Sequence, residues 1–474
     1  MLVCYFGRRL SPFKQGVTML NKNDYCQVEI TDIGHKGEGI GRYNDFVIFA
    51  DNCLPGDVCR VKILKVKKNY AFAKVEQIVN SSPARVEAPC PVADKCGGCS
   101  LMHMDYNEQL KFKAKKVFDS LTRIGGVENP NILPIEPMEN TMGYRNKAQV
   151  PVREENGKIL VGYYTKNSHR IVENTDCYIQ DKAVKEIIEA VKIYMTENGI
   201  PAYNEEKNIG MIRHIVVKKG FATGQVMVCI VINAKNNHLP KNYESLVEEL
   251  ECIEGMASIT FNYNNKNTNV IMGEHNRFIW GNDYIEDIMG EFKFKISPHS
   301  FYQVNPVQAA KMYECALDFA QVKDSDVVID AYCGTGTISM FFARQAKMVY
   351  GIEIVPQAVE DAVLNAKENN VENTEFLLGK AEEIMEDFAG HGIKADIIIA
   401  DPPRKGCEPE FINAIGKIAP EKFVYISCNP DTLARDIAIL KEYGYTPEKI
   451  KPFDMFCYST HVECVTLLQR KDAL

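Results

Sequence analysis

The stretch Val327-Val-Ile-Asp330-Ala-Tyr332-Cys333-Gly334-Thr335-Gly336 decides the fold. It reads as a buried strand, a glycine turn and the start of a helix. Gly334 and Gly336 carry no Cβ, so a ligand can approach the backbone there. A second apolar run, Val349-Tyr-Gly-Ile-Glu353, ends on an acid 17 residues after Gly336, placed to bind ribose hydroxyls. Strands alternating with helices from Ile296 onward predict a doubly wound α/β sheet. In such sheets ligands bind at the carboxyl ends of the strands.

The type of ligand follows from two departures. A dinucleotide fingerprint has a third glycine where this chain has Ser339. Asp330, just before the turn, would repel a pyrophosphate and suits S-adenosylmethionine better. Two further strands end on reactive groups. Ala395-Asp-Ile-Ile-Ile-Ala400 runs into Asp401-Pro402-Pro403-Arg404, where the diproline fixes an extended turn. Arg404 replaces the aromatic residue that amino-methylating enzymes carry there, which disfavours nitrogen methylation. A helix N-cap is the bland alternative for Asp401. Phe423-Val-Tyr-Ile426 leads into Ser427-Cys428-Asn429-Pro430. A thiol at a strand end can act as a nucleophile, although buried free cysteines are common. Thr460-His-Val-Glu463-Cys-Val465 holds an acid inside an apolar strand, and buried acids need a partner or a role.

Upstream, the 474 residues exceed one domain and suggest three, with a short leader. Residues 1–18 read as that leader, disordered or over-called, with Met19 a possible start. Residues 19–80 read as a small OB-like β-barrel, from short strands broken by glycine and proline turns. Residues 81–295 form a central α+β region, and 296–474 the α/β domain. Within 58–75 six basic residues (Arg60, Lys62, Lys65, Lys67, Lys68 and Lys74) meet no acid, and Tyr70 and Phe72 lie among them. Such composition suits RNA backbone and stacked bases, or a lysine-guarded sheet edge. Helices are expected near 104–123, 181–197, 239–251 and 306–320, and strands at Ala148–Val152, Ile212–Lys218 and Gln225–Asn233. Trp280 is expected to be structural.

Net charge is −8, so no global basic field marks a nucleic-acid partner. No run of 18 apolar residues exists, so no membrane-spanning helix is expected, and the cytoplasm is the expected location. Sixteen cysteines without a signal peptide argue for metal binding, catalysis or free thiols over a disulfide framework. Cys90-Pro-Val-Ala-Asp-Lys-Cys96-Gly-Gly-Cys99 has metal-ligand spacing but lacks a fourth ligand. Spacing alone does not separate zinc from iron–sulfur.

Together these motifs, with Ser297-Pro-His-Ser-Phe301-Tyr-Gln303-Val-Asn305, resemble the RNA uracil-C5 methyltransferase family, most closely its 23S ribosomal RNA branch. The resemblance spans about residues 22–474. It implies a TRAM-type barrel, a central RNA-binding domain and a Rossmann-like catalytic domain. It implies that Cys90, Cys96, Cys99 and Cys177 ligate a [4Fe–4S] cluster. Cys428 resembles the nucleophile and Glu463 the base. Gln303, Tyr332, Gly334, Gly336, Glu353 and Asp401 match the S-adenosylmethionine site. Lys380 stands where many methyltransferases of this fold carry an acid near adenine. Lys65, Lys67, Lys68, Tyr70, Phe72, Arg145 and Lys147 are the expected RNA contacts. The expected product is 5-methyluridine in a loop or single strand of 23S rRNA, with no obligate protein partner. The same reaction on tRNA is the nearest rival, and an iron–sulfur redox or RNA-binding protein a more distant one.

Overall fold

The computed structural model describes residues 20–235 and 238–471. The expected leader at 1–18 and the start at Met19 lie outside them. The chain forms two compact units that divide after Glu87.

The first unit is a barrel of five strands: β1 (Tyr25–Ile33), β2 (Gly39–Tyr43), β3 (Phe46–Ala50), β4 (Val58–Val66) and β5 (Tyr70–Asn80). They close in the order β1-β2-β3-β5-β4, which removes free sheet edges. Alternation along each strand turns Val28, Ile30, Ile48, Val61 and Ile63 inward. The barrel is narrow enough to need glycine. A Cβ at Gly41 would sit 2.4 Å from the Glu29 carbonyl oxygen.

The second unit begins at Ala88, and its first helix is the basic Tyr106–Arg123, capped by the Asp105 carboxylate. A seven-stranded sheet follows: β6 (Lys147–Glu155), β7 (Lys158–Tyr164), β8 (Ile171–Glu173), β9 (Ile212–Lys219), β10 (Val226–Ile232), β11 (Met256–Tyr263) and β12 (His275–Gly281). Helices Lys182–Asn198 and Tyr243–Glu251 pack on it through Ile187, Ile188, Val191, Leu246 and Leu250. Trp280 packs against this same core. A hairpin, β13 (Ile285–Met289) and β14 (Phe292–Ile296), leads into the α/β sheet.

That sheet comprises β15 (Val327–Ala331), β16 (Met348–Glu353), β17 (Thr374–Leu378), β18 (Ile397–Ala400), β19 (Lys422–Ser427), β20 (Tyr445–Phe453) and β21 (Glu463–Arg470). Its order is β17-β16-β15-β18-β19-β21-β20. The first five are parallel, and β21 runs antiparallel between β19 and β20. Every residue of β18 is buried, as expected for a parallel strand covered on both faces. Strand order reverses between β15 and β18, so their carboxyl ends open the crevice where ligands bind.

Candidate active site

Tyr332, Gly334 and Gly336 all take left-handed backbone conformations (φ 67°, 55° and 79°). This compresses the β15 turn, and glycine permits it at two of the three positions. The Gly334 N–H donates to a Glu353 carboxylate oxygen at 3.1 Å, and the Val355 N–H to the other at 2.9 Å. Glu353 thus braces the turn from the end of β16 and keeps spare lone pairs for a ligand. No heavy atom lies within 4 Å of a Cβ built on Gly334, so the backbone there faces open space. Gly336 serves packing instead, since a Cβ would meet Phe376 at 2.9 Å.

Ser339 has a local explanation. Its hydroxyl donates to Asp330 at 2.5 Å. The other Asp330 oxygen is buried without a partner. Burial pushes the Asp330 carboxyl up to about 7. Asp401, at the end of β18, is likewise pushed up to about 7 by desolvation. It is not a helix cap, because the next helix, Pro409–Ile418, begins after Glu408.

The motif at 297–305 has a divided role. Gln303 lines the cavity, while its carbonyl accepts from the Asn146 side chain at 3.0 Å. Asn305 caps helix Pro306–Ala320 and donates to the Met455 carbonyl at 3.1 Å. Gln308 donates to the Asp454 carbonyl at 3.0 Å. These residues hold the 454–462 loop between β20 and β21.

Cys428 follows β19, and Glu463 opens β21. Ser427 pairs with Cys464 in register, so the next residues outward emerge together at the ligand edge. Burial, then Glu463 and Asp401, push the Cys428 thiol up to about 12, against a lowering by Arg404. Burial and then Asp401 push Glu463 up to about 8, again opposed by Arg404. Asn429 caps helix Pro430–Leu440 and donates to the Arg404 carbonyl at 3.2 Å, which fastens the Arg404 turn beside Cys428.

A cavity of about 1000 Å³ joins these groups. Gln303, Tyr332, Gly334, Glu353, Asp401 and Arg404 share its wall with Cys428 and Glu463. Lys380 lines it too, with its ammonium on Glu383 at 2.6 Å. Its carboxylates and open glycine turn suit a cationic ligand with a ribose. Phe456 also lines it. That residue carries no sequence signal beyond being an aromatic side chain seven positions before Glu463.

Cys90, Cys99 and Cys177 pack together around Met102, Tyr144 and Cys457. Burial first, and then Cys177, Cys96 and Cys90, push the Cys99 thiol up to about 12. The Gly98 N–H donates to Cys96 sulfur at 3.4 Å, and the Asn174 amide to Cys90 sulfur at 3.9 Å. Four converging thiols with N–H donors fit a thiolate-bound metal centre. A second group, absent from the sequence reading, is Cys53, Asp57 and Cys59 in the barrel. Its Asp57 oxygens already accept from the Leu54 and Ser82 N–H groups at 2.7 and 2.8 Å and from Arg85. It therefore fits a metal poorly.

On the barrel surface Phe49, Tyr70 and Phe72 form a cluster with centroids 5.6–5.8 Å apart. Lys65, Lys67 and Lys68 are exposed, and Lys65 pairs with Phe72 across the ladder. Arg145 lies over Phe456, with 5.6 Å between guanidinium and ring centroid. Lys147 is different: it is half-buried opposite Lys218, and desolvation lowers its pKa.

A reversed terminal strand, a glycine turn and acids at the carboxyl edge define an S-adenosylmethionine-dependent methyltransferase. The profile of the family described as tRNA (Uracil-5-)-methyltransferase matches residues 105–471, and that of the TRAM domain residues 21–75. The chain belongs to this family of RNA uracil-5-methyltransferases. It is 46% identical to an uncharacterized RNA methyltransferase of Clostridium tetani, over 95% of this chain and 97% of that protein. A relative of the same description from Halalkalibacterium halodurans is 44% identical over 96% and 98%. Among solved structures, the Pyrococcus abyssi tRNA (uracil-54, C5)-methyltransferase in complex with S-adenosyl-L-homocysteine is similar. It has a TM-score of 0.75 and 29% identity, and covers 93% of this chain and 99% of its own. No helix among the described residues is long and apolar enough to cross a membrane.

Proposed function

We propose that this enzyme forms 5-methyluridine in 23S rRNA, in the cytoplasm, through a covalent bond between Cys428 and uracil C6. The observation that carries the reading is the shared cavity edge of Cys428 and Glu463, facing the glycine turn and Asp401.

Uracil C5 is a poor nucleophile. The Cys428 thiolate bonds to C6, and the displaced electron pair moves to an enolate oxygen. C5 is then electron-rich and bonds to a methyl carbon. S-adenosylmethionine would supply that methyl from its sulfonium, whose carbon–sulfur bond breaks with the electron pair left on sulfur as a neutral thioether. Gln303, Tyr332, Glu353 and Asp401 hold the donor, with Gly334 giving close backbone approach. Glu463 then takes the C5 proton, the C6–S bond breaks, and the thiolate is restored. Arg404, the cation beside Cys428, favours the thiolate and offers donors to the enolate oxygen. The base must leave its stack to reach this depth, so loops and single strands are the substrates. Lys65, Lys67, Lys68, Tyr70 and Phe72 in the first unit, and Arg145 in the second, are RNA contacts.

Cys90, Cys96, Cys99 and Cys177 hold a [4Fe–4S] cluster with a structural role.

The P. abyssi neighbour, named for tRNA and aligned over 93% of this chain, supports a second reading in which tRNA is methylated. Unmodified 23S rRNA and tRNA transcripts, each offered with radiolabelled donor, decide between them. Label in tRNA alone excludes the ribosomal reading. Transcripts carrying 5-fluorouridine test the covalent step, because fluorine cannot leave as a proton does and the adduct persists. Absence of a protein–RNA adduct with both would rule out the covalent route.

A further inference from the structure

A run of side chains leads from the cavity to solvent. Arg145 lies over the Phe456 ring. The His461 ring meets that phenyl edge-on, with centroids 6.4 Å apart. His461 Nε2 stands 3.5 Å from Arg404 Nη2. Arg404 and Phe456 both line the cavity that holds Cys428. Behind them, Lys116 Nζ donates to the Thr460 carbonyl at 3.1 Å, one residue from His461.

The charges on this arc are only partly neutralised. Lys113 is paired with Asp454, and Arg145 faces the Cys99 thiol and the Tyr144 hydroxyl. Asp431 acts on Lys116, and Asp401 and Glu463 lie on the cavity side of Arg404. Burial and then Arg404, Lys116, Lys113 and Arg145 push His461 down to about 4. The neutral ring can accept from Arg404, and the cations that hold it neutral are the groups that would attract an anion.

We propose that Arg145, Lys116, Arg404 and His461 form a subsite for one backbone phosphodiester, the one flanking the nucleotide whose base enters the cavity. The subsite rests on the reading that a uridine enters there. A base swung out of its stack leaves its phosphates at the rim. The arc offers charge-assisted donors at that rim, and the phosphate lets His461 take up a proton and become one more donor.

Equilibrium binding of the full-length protein to unmodified 23S rRNA and tRNA transcripts, across salt and pH, tests this. Arg145→Gln should weaken binding and reduce the log–log salt slope by about 0.7–0.9, the loss of one phosphate contact. Arg145→Lys should keep the slope. The unsubstituted protein should bind more tightly as pH falls from 7 to 5, and His461→Gln should do so less steeply, keeping only the part due to Asp401 and Glu463. An unchanged slope in Arg145→Gln, or equal pH dependence in His461→Gln, overturns the subsite. The 5-fluorouridine adduct separates the causes. An adduct with unchanged slopes removes the subsite and leaves the reaction standing, whereas no adduct from the unsubstituted protein sinks both.

Discussion

Lys113 and Asp454 form an ion pair at 2.6 Å with no side-chain surface exposed to solvent. Tyr106 donates to the second Asp454 oxygen at 2.9 Å, and Lys113 also donates to the Phe456 carbonyl at 2.9 Å. The basic helix therefore clamps the loop that brings Phe456 to the cavity and leads into Glu463. Lys113→Met leaves Asp454 buried and unpaired, and should destabilise the protein by about 3–5 kcal/mol in denaturant unfolding. Lys113→Met with Asp454→Leu removes both charges and should recover much of that loss. An undiminished single variant would mean that water or relaxation relieves the charge.

Cys428→Ala should abolish both methyl transfer and the 5-fluorouridine adduct. Glu463→Gln should behave differently. It keeps the nucleophile and loses the base, so a methylated protein–RNA adduct should accumulate on ordinary uridine. Gel mobility and mass spectrometry read both outcomes. Equal turnover by Cys428→Ala would refute the assigned attack.

Glu463 lies at about 8 and Asp330 and Asp401 at about 7, all above their ordinary carboxyl values. Each binds a proton more tightly folded than unfolded. Their stabilising effect is complete below about pH 4 and declines as pH rises through 7 to 8. Glu463→Gln cannot ionise, so it should exceed the unsubstituted protein in stability at pH 8, by on the order of 1–3 kcal/mol. The difference should vanish near pH 4. In catalysis the sign reverses, because Glu463 must be ionised to accept a proton. kcat/KM should therefore rise with pH toward about 8.

Removing any one of Cys90, Cys96, Cys99 or Cys177 by serine substitution should lower bound iron and sulfide, measured by elemental analysis and visible absorbance. Cys53→Ser and Cys59→Ser should leave iron unchanged, because Asp57 in that group is committed to Arg85. Iron retained by all four single variants would remove the cluster assignment.

The α/β sheet is legible in the chain because strands buried on both faces write nearly continuous apolar runs, as in β18 and the centre of β19, with β15 interrupted only by Asp330. Helix Pro306–Ala320 announces itself through Asn305 and Pro306, a cap and a first-turn proline. Helix Tyr243–Glu251 starts later than the pattern from 239 suggests, after an Asn242 that makes no side-chain cap bond. Strand β12 is mostly exposed and shows no clean alternation, so nothing marks it. The site divides the same way. Residues at strand ends, such as Asp401 and Cys428, are visible from local pattern. Phe456 is not, because Lys113, Asn305 and Gln308 place it from remote parts of the chain. Glu353 is visible as an acid at the right distance, while its grip on the Gly334 and Val355 amides appears only in three dimensions.

The antiparallel course of β21 has a consequence for biosynthesis. Its first residue, not its last, lies at the ligand edge, and that residue is Glu463. On the ribosome, the turn at Gly334, Asp401 and Cys428 all emerge before it. Because β21 also lies between β19 and β20, a nascent chain that has not released it lacks both the partner of β19 and the acid. Thiol and base therefore come together only when this strand inserts, and the site is completed in that one folding step.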